Sequence, residues 1–472
     1  MRQRSCAILA GALLAAASLF GQASDGNITG TVLDASGAAV PNANVQLENS
    51  ATGVKLATKT DGSGAYRFGN VLIGRYSVTV SASGFTTTNI KDLPVELNKT
   101  ATANITLQVG SVSTAVDVSE AASTIDTTTS QLSNNYEARL AVELPSSANP
   151  TGGVLNLALL GAGVSSSGGI GVGTGPSVGG QRPRNNNFTV EGVDNNRKDV
   201  TGPTLFIPND AVAEFTVLQN QFGAEFGHSS GGQFNTVLRG GTNQIHGKIY
   251  EYLLNRNLNA IDQSFKRQGI FENQRYDQNR IGGSVAGPVK KNKLFYYGLY
   301  EYNPLGQAST PAGSTFAPTA AGYATLATIP GVSATNLGIL KQYLDAAPVG
   351  TKTTVVNGVG IPYGVLPISA PNYTNNYNWL ISVDYNISDK DQLRGRYVDN
   401  KTSAINTAAN LPVFFFGRPT TAHLASISEF HSFRPNVNNE LRLAFTRFND
   451  NIAVVRAFEA SEPHGIRVGP LY

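Results

Sequence analysis

From residue 244 onwards, the sequence contains strand-like stretches whose connections alternate between short and long. The stretches cover residues 245–254, 279–287, 294–302, 377–387, 393–400, 423–433 and 440–448. Each has roughly ten residues, the length that a tilted membrane-spanning strand needs. The short connections are 288–293, 388–392 and 434–439, and the long ones are 255–278, 303–376 and 401–422. Membrane barrels have short turns on one side and long loops on the other, so the pattern predicts an antiparallel transmembrane β-barrel.

The stretch at 377–387 alternates between two chemically different faces. Its apolar face consists of Trp379, Ile381, Val383, Tyr385 and Ile387. Its polar face includes Asp384, and the next stretch presents Arg394 and Arg396 in the same way. The apolar face of a barrel strand meets lipid and the polar face lines the lumen. We therefore expect Asp384, Arg394 and Arg396 to be lumen-facing solute contacts, with simple lining of water as the alternative.

Aromatic residues cluster near the start and end of the stretch at 294–302. They are Phe295, Tyr296, Tyr297, Tyr300 and Tyr302. Aromatic side chains are enriched where a membrane meets water, so we expect them to form an interfacial belt. In a soluble protein the same residues would belong to the core.

Composition and the N-terminus indicate export and argue against nucleic-acid binding. Charged residues make up 14% of the chain and the net charge is +3, which provides no basic footprint for nucleic acid. Arg2 and Arg4 precede an apolar run, and small residues follow it, so we predict a signal peptide at 1–23. Cys6, the single cysteine, lies within that segment.

Residues 24–110 have short alternating segments separated by turns, which predicts an antiparallel β-sandwich. Asp61-Gly62 and later glycines suit tight turns, while Tyr66 and Phe68 alternate with polar neighbours. This stretch resembles the carboxypeptidase regulatory-like domain, which implies a transthyretin-like fold without catalytic residues. Related folds bind carbohydrate in some cases, but a packing and spacer role fits these residues better.

Residues 111–130 form a Ser/Thr-rich linker that can serve as an extended tether. Within it, Val116, Asp117 and Val118 resemble the segment by which energy-coupled outer-membrane receptors contact the periplasmic protein TonB. Such a segment acts by adding a strand to a partner's sheet. An ordinary linker strand is the alternative.

Residues 131–243 form a glycine-rich region with distinctive motifs. They include the Asn187–Asn196 stretch NFTVEGVDNN, the 211–219 stretch AVAEFTVLQ and the 240–247 stretch GGTNQIHG. Together with the order of domains, these motifs resemble the plug of TonB-dependent receptors of the Oar-like type. The resemblance implies an α+β plug (131–243) inside a barrel (244–472), and places the N-terminal domains in the periplasm or the lumen.

The resemblance also implies partners: TonB with its inner-membrane motor, outer-membrane lipid and an unidentified solute imported by plug rearrangement. Seven strands are too few to enclose a plug, because plugged transporters have about 22. We therefore expect an N-terminal fragment whose remaining strands follow Tyr472. An adhesion or envelope-structural protein on the same scaffold, or a secreted carbohydrate-binding fragment, is the alternative.

The sequence predicts neither an enzyme nor a cofactor or metal site. The histidines His228, His246, His423, His431 and His464 are scattered without ligand spacing. One Gly-x-Ser-x-Gly match, at 175–179, lies in a Gly/Ser-rich tract without the strand and helix that a nucleophile elbow needs.

Overall fold

The computed structural model describes most of the chain in mainly β structure. The described residues are 25–110, 115–118, 130–144, 152–166, 169–223, 226–227, 229–261, 263, 266, 271–273, 275–309, 315–366, 370–406, 411, 414–434 and 437–451. The predicted signal peptide at 1–23 lies outside them. Within the described part, no helix combines the length and apolar character needed to cross a bilayer.

The N-terminal part is a two-sheet β-sandwich, as the alternation of the sequence predicts. Its strands are β1 (Gly26–Asp34), β2 (Asn44–Asn49), β3 (Lys55–Lys59), β4 (Ala65–Val71), β5 (Gly74–Ser81), β6 (Thr87–Val95), β7 (Thr100–Thr102), β8 (Ile105–Leu107) and β9 (Ala115–Val118). One sheet has the order β4-β1-β7, with β8 also on β1, and the other has the order β3-β2-β5-β6-β9. Fully buried side chains from both sheets, including Ile28, Leu47 and Val78, form the core of this N-terminal sandwich.

Strand β9 contains the residues that the sequence identifies as a candidate TonB-contact segment. It pairs in parallel with β6, with Thr88 opposite Val116 and Ile90 opposite Val118. Residues 115–118 therefore form the edge strand of a five-stranded sheet and are not an unpaired tether. The rest of 111–129 lies outside the described residues.

Residues 131–243, called the central region below, combine a mixed sheet with short helices. Its elements are β10 (Leu132–Glu137), α1 (Ala138–Glu143), β11 (Val164–Ser165), β12 (Ser177–Val178), β13 (Asn187–Val190), β14 (Val193–Asp194), β15 (Val212–Asn220) and β16 (Gln233–Leu238), with 3₁₀ turns at Gly153–Leu160, Pro183–Asn185 and Asn209–Ala211. The main sheet has the order β10-β15-β16-β13-β14. Phe188 and Phe234 stack with ring centroids 4.8 Å apart in its core.

The remaining strands include the seven longest of the described residues. They are β17 (His246–Asn255), β18 (Tyr276–Lys290), β19 (Leu294–Ser309), β20 (Thr315–Pro318), β21 (Lys352–Val356), β22 (Val359–Leu366), β23 (Ala370–Asn386), β24 (Asp391–Asn406), β25 (Phe416–Gly417), β26 (Thr420–Arg434) and β27 (Val437–Asp450); the helices are α2 (Ala320–Thr328) and α3 (Ala334–Tyr343), with a 3₁₀ turn at Arg256–Leu258. Seven of them form an open antiparallel sheet in the order β17-β18-β19-β23-β24-β26-β27, called the wall sheet below.

The wall sheet confirms all seven predicted membrane strands and their alternating connections. Most strands extend beyond the predicted stretches; β23, for example, starts at Ala370 rather than 377. The connection between β19 and β23, predicted as one long loop, also contains structure. In it, β20, β22 and β21 form a small sheet on which α2 packs.

The two faces of the wall sheet differ as a membrane strand requires. The outward face exposes large apolar side chains, among them Ile249, Ile281, Val285, Trp379, Ile381, Ile427, Leu443 and Phe445. The inward face packs against the central region through Leu299, Leu380, Val398 and Leu424, which are buried in one apolar cluster with the core of that region. The belt prediction was wrong for Phe295 and Tyr297, which point inward and are buried; Tyr300, on the outward face, is exposed.

A charge placed on the outward face should destabilise the wall sheet in lipid. We expect Ile381→Lys to lower the free energy of unfolding in phospholipid vesicles by about 2–4 kcal/mol, the penalty for lysine near a bilayer midplane. Thr353→Lys adds the same charge on exposed β21 and should change it by less than about 0.5 kcal/mol. Denaturant titration of the folded protein in vesicles measures both, and equal effects would show that Ile381 does not face lipid.

Candidate functional site

The register of the wall sheet aligns polar side chains into two rows on its inward face. In the first row Asn303, Asn376, Thr402 and Thr420 stand opposite one another on four neighbouring strands. In the second row Glu301, Asn378 and Asn400 do the same. The next inward-facing row toward the short turns consists of Leu299, Leu380, Val398 and Leu424 and is called the apolar row below. These two amide rows therefore lie at the end of the sheet that carries the long connections.

Hydrogen bonds link neighbouring side chains in the amide rows. Thr402 Oγ1 donates to Asn376 Oδ1 at 2.8 Å, and Asn400 Nδ2 donates to Asn378 Oδ1 at 2.9 Å. The central region joins them, since Phe206 N–H donates to Asn400 Oδ1 at 2.8 Å. An asparagine amide can take part in about four hydrogen bonds, so these contacts use only part of the capacity of the rows.

A cavity of about 580 Å³ separates the amide rows from the central region. Its volume lies within the usual range of small-molecule sites, which is roughly 300–1,000 Å³. The wall contributes Gln278, Asn303, Thr374, Asn376, Asn378, Asn400 and Thr402 to its lining. The central region contributes Thr174, Thr204, Phe206 and Ile207 among others. We call this space the solute cavity.

The charged side chains around the solute cavity are paired within the protein. Arg197 contacts Asp199 at 2.6 Å and Asp450 at 3.5 Å, and Arg418 Nε donates to Asp450 at 2.9 Å. On the other side, Arg280 contacts Glu301 at 3.2 Å. The polar groups that the cavity offers to a ligand are thus mainly neutral amides and hydroxyls, beside apolar side chains such as Val172 and Ile207.

Asp210 anchors the central region to the wall sheet at one side of the solute cavity. Its carboxylate pairs with Lys248 Nζ at 2.6 Å and with Arg280 Nη2 at 3.2 Å, while its carbonyl accepts from the Tyr297 hydroxyl at 3.0 Å. Sequence reasoning missed this residue. Its position just before the 211–219 motif AVAEFTVLQ was the one available signal.

Arg396 and Asp384 lie below the apolar row, toward the short turns, and Arg396 contacts the central region. Arg396 Nε donates to Glu191 Oε1 at 3.1 Å, and its Nη1 donates to Asp384 Oδ1 at 2.8 Å. Glu191 also accepts a hydrogen bond from Leu238 N–H at 2.8 Å. All three charged side chains are largely buried, and Arg396 and Glu191 thus form an ion pair that joins wall and central region.

A tight turn positions Glu191 for this pair. Val190 and Val193 are paired across the β13–β14 hairpin, and the two loop residues, Glu191 and Gly192, have φ values of 51° and 70°. Two left-handed residues in a two-residue loop define a type I′ turn, which asparagine and glycine usually occupy. Glutamate is unfavourable in this backbone conformation. Its presence therefore indicates a role for its side chain, here the contact with Arg396.

Arg394 joins the wall sheet to the N-terminal sandwich. Its Nη1 contacts Asp25 Oδ1 at 2.5 Å, both side chains are about 4% exposed, and its guanidinium lies 4.0 Å from the ring centroid of Phe430. Arg394, Arg396 and Asp384 therefore do face inward, as expected. They are engaged with other parts of the chain and do not line the solute cavity, and their contact with a solute stays a prediction.

A titratable contact joins the N-terminal sandwich to the central region. Leu97 N–H donates to Glu214 Oε1 at 2.9 Å, and Asn135 Nδ2 donates to Leu97 O at 3.0 Å. Burial raises the pKa of Glu214 from 4.5 to about 7, although the hydrogen bonds from Leu97 and Asn135 oppose the shift. Glu96 raises this pKa further and Lys99 lowers it.

Burial of Glu214 at this contact should make folding less favourable as the pH rises toward 8. A carboxyl whose pKa is higher in the folded protein binds its proton more tightly there, so folding is favoured below about pH 4.5 and the advantage is lost through about pH 7. We expect the thermal unfolding midpoint of the sandwich to fall between pH 5 and pH 8, as followed by calorimetry. Glu214→Gln should flatten this dependence, and an unchanged slope in that variant would assign it to another group.

One group in the described residues has the donor types of a metal site. Asp391, Glu429 and His431 have ligand atoms within 4.8 Å of one another. The imidazole of His431 is already hydrogen-bonded to Asp391, whose other oxygen accepts from Ser388. This hydrogen bonding accounts for the cluster without an ion.

Two protein families match different parts of the chain. The carboxypeptidase regulatory-like domain matches residues 27–108, which coincide with the N-terminal sandwich. The family described as outer membrane beta barrel domain matches residues 237–469, which contain the wall sheet. The chain combines a carboxypeptidase regulatory-like domain with an outer-membrane β-barrel domain. This combination places the protein in the outer membrane.

A curated relative adds a transporter to these family matches. The chain is 25% identical over 300 residues to the TonB-dependent transporter Oar of Myxococcus xanthus. The alignment covers 61% of this chain, and the chain spans 28% of the length of that relative. The similarity is to a transporter, the class that the sequence predicts, and not to an enzyme.

Solved structures of outer-membrane receptors are similar in outline. The outer membrane transporter YddB of Escherichia coli is 11% identical with a TM-score of 0.45, covering 67% of this chain and 39% of its own. The siderophore receptor PirA of Acinetobacter baumannii is 14% identical with a TM-score of 0.38, covering 68% and 45%.

Proposed function

We propose that this chain is part of a TonB-dependent transporter in which the central region is a plug that blocks the lumen. A solute entering from the side of the long connections would meet the solute cavity first. Below that cavity, the apolar row and then the Arg396–Glu191 pair close the space between the wall sheet and the central region. Import therefore requires the central region to move.

The pair between Arg396 and Glu191 is the observation that carries the proposal. A buried ion pair stabilises one arrangement of two bodies, and breaking it leaves an uncompensated charge. A plug that must be held firmly and then released needs such a contact.

We further propose that TonB contacts Val116, Asp117 and Val118 by pairing with β9. An extended segment binds a partner by adding a strand to its sheet, and β9 is already in strand conformation. Pulling on β9 would act on the central region through β10, which follows it in the chain.

Deleting residues 115–118 tests the proposal in cells that produce the protein with its own TonB system. We expect the purified variant to lose binding to the periplasmic domain of TonB, while the amount of protein in the outer membrane stays the same. Deleting 36–39, an exposed turn after β1, is the control. If the first deletion leaves TonB binding intact and instead cell adhesion depends on the protein, the adhesion function is favoured.

A further inference from the structure

Among the described residues that line the solute cavity, no side chain carries an uncompensated charge. Arg197 and Arg418 are balanced by Asp199 and Asp450 on one side. On the other side, Arg280 and Lys248 are balanced by Asp210 and Glu301. An anionic ligand would have to break one of these pairs to obtain a cation. The electrostatics thus favour a ligand without net charge.

The amide rows offer hydrogen-bond donors and acceptors on the same side chains. Asn303 Oδ1 accepts from Gln278 Nε2 at 2.8 Å and Asn376 Oδ1 accepts from Thr402, so these bonds do not use the amide NH₂ groups of the two asparagines. Hydroxyl groups of a ligand can both accept from such NH₂ groups and donate to neighbouring oxygens. Several hydroxyls on one molecule therefore match several positions along the rows.

Phe206 adds an apolar surface on the opposite side of the cavity. Its backbone is fixed by the bond to Asn400, and its half-buried side chain lines the cavity. The face of an aromatic ring carries partial negative charge and packs well against C–H groups, which bear partial positive charge. Sugar rings present such a C–H face between edges of hydroxyl groups. The other aromatic ring at the cavity, Phe448, is covered by the guanidinium of Arg197 at 4.2 Å.

A peptide fits this surface less well. Extended peptides usually bind by pairing their backbone with a free sheet edge. Strands β19, β23 and β24, which carry the amide rows, each have a neighbouring strand on both sides. Their backbone groups are therefore already paired at the rows.

We propose that the solute cavity binds a neutral, hydroxyl-rich solute of the oligosaccharide class. The inference rests on the proposed function, in which this cavity receives the transported solute. The amide rows hold the hydroxyl groups, and Phe206 packs against one ring face.

Calorimetric titration of the full protein in detergent tests the inference. The probes are maltohexaose, cellohexaose and xylohexaose, with hexagalacturonate as the anionic counterpart and an uncharged Gly/Ser hexapeptide as the peptide counterpart. We expect at least one neutral hexasaccharide to bind, and neither counterpart to bind comparably. Preferential binding of hexagalacturonate or of the peptide would overturn the inference, as would failure of all three neutral sugars to bind.

Two substitutions in the cavity and one control substitution test where the sugar binds. Asn376→Ala and Phe206→Ala should each weaken sugar binding roughly 3- to 10-fold, as expected for one lost hydrogen bond or ring contact. Asn375→Ala changes the same residue type one position away, on the outward face of β23, and should leave binding unchanged. Equal effects of Asn375→Ala and Asn376→Ala would show that the sugar does not bind in the cavity and would overturn the inference.

Uptake measurements distinguish failure of this inference from failure of the proposed function. Cells with and without TonB are compared for uptake of the radiolabelled hexasaccharide that binds. Binding at the cavity without TonB-dependent uptake would overturn transport and support the oligosaccharide site. TonB-dependent uptake of hexagalacturonate instead would support transport and overturn the neutral class.

Discussion

Arg396→Glu is expected to open an ion-conducting path past the central region. The substitution places a carboxylate beside Glu191 and Asp384, where the arginine now donates to both. Losing one partner of a buried ion pair destabilises an interaction by about 3–5 kcal/mol, and like charges add to this. Conductance of the complete transporter, of which we propose that this chain is a part, should therefore rise in planar lipid bilayers well above that of the unchanged protein.

Charge exchange provides the decisive control for this prediction. Glu191→Arg alone should also conduct, whereas Glu191→Arg combined with Arg396→Glu should restore much of the closed state by re-forming the pair. Glu191→Asn separates charge from backbone conformation, since asparagine suits the left-handed turn better but cannot pair with Arg396. Arg67→Glu makes the same reversal at an exposed site of the sandwich and should have no effect. A closed channel in Arg396→Glu would refute the role of this pair.

Linking β9 covalently to β6 is expected to abolish TonB binding. Thr88 and Val116 are register partners in adjacent strands, which run about 4.8 Å apart, within the Cα separation that a disulfide spans. In Thr88→Cys/Val116→Cys, oxidation would keep β9 on the sandwich, so that it cannot leave β6 and join the sheet of TonB. Binding to the TonB periplasmic domain should fall in proportion to the oxidised fraction and return on reduction.

The chain is well suited to this experiment. Its single cysteine, Cys6, lies in the predicted signal peptide, so 25–472 contain no competing thiol. Gln46→Cys/Thr79→Cys joins two other register partners of the same sheet, β2 and β5, and should leave TonB binding unchanged when oxidised. If the oxidised β6–β9 variant binds TonB as well as the reduced one, the contact lies elsewhere in the chain.

The fold was largely predictable because its signals are local. Alternation along 377–387 identifies both faces of β23 without knowledge of its neighbours, and turn residues mark the strands of the sandwich. The wrong belt assignment of Phe295 and Tyr297 shows the limit of this reasoning. Aromatic type alone does not reveal which face a residue occupies when its neighbours on both faces are also aromatic.

The site depends on pairing between distant segments, which a single sequence does not show. Inward orientation of Arg394 and Arg396 follows from alternation, but their partners, Asp25 and Glu191, are hundreds of positions away. The amide rows likewise exist only through the register of β19, β23 and β24. The pairing of β9 with β6 was equally hidden, because four residues of common type carry no information about a partner.

The register of the wall sheet also limits where codons can be inserted into the gene or deleted from it. Inserting one codon within β24 would turn Arg394, Arg396 and Asn400 toward lipid and Tyr397 toward the central region. Each arginine would then destabilise the protein by up to about 2–4 kcal/mol, the more the deeper it lies in the bilayer. Insertions and deletions inherited in this lineage should therefore collect in 256–275, 310–369 and 407–419, while the strands between them keep a fixed count of residues.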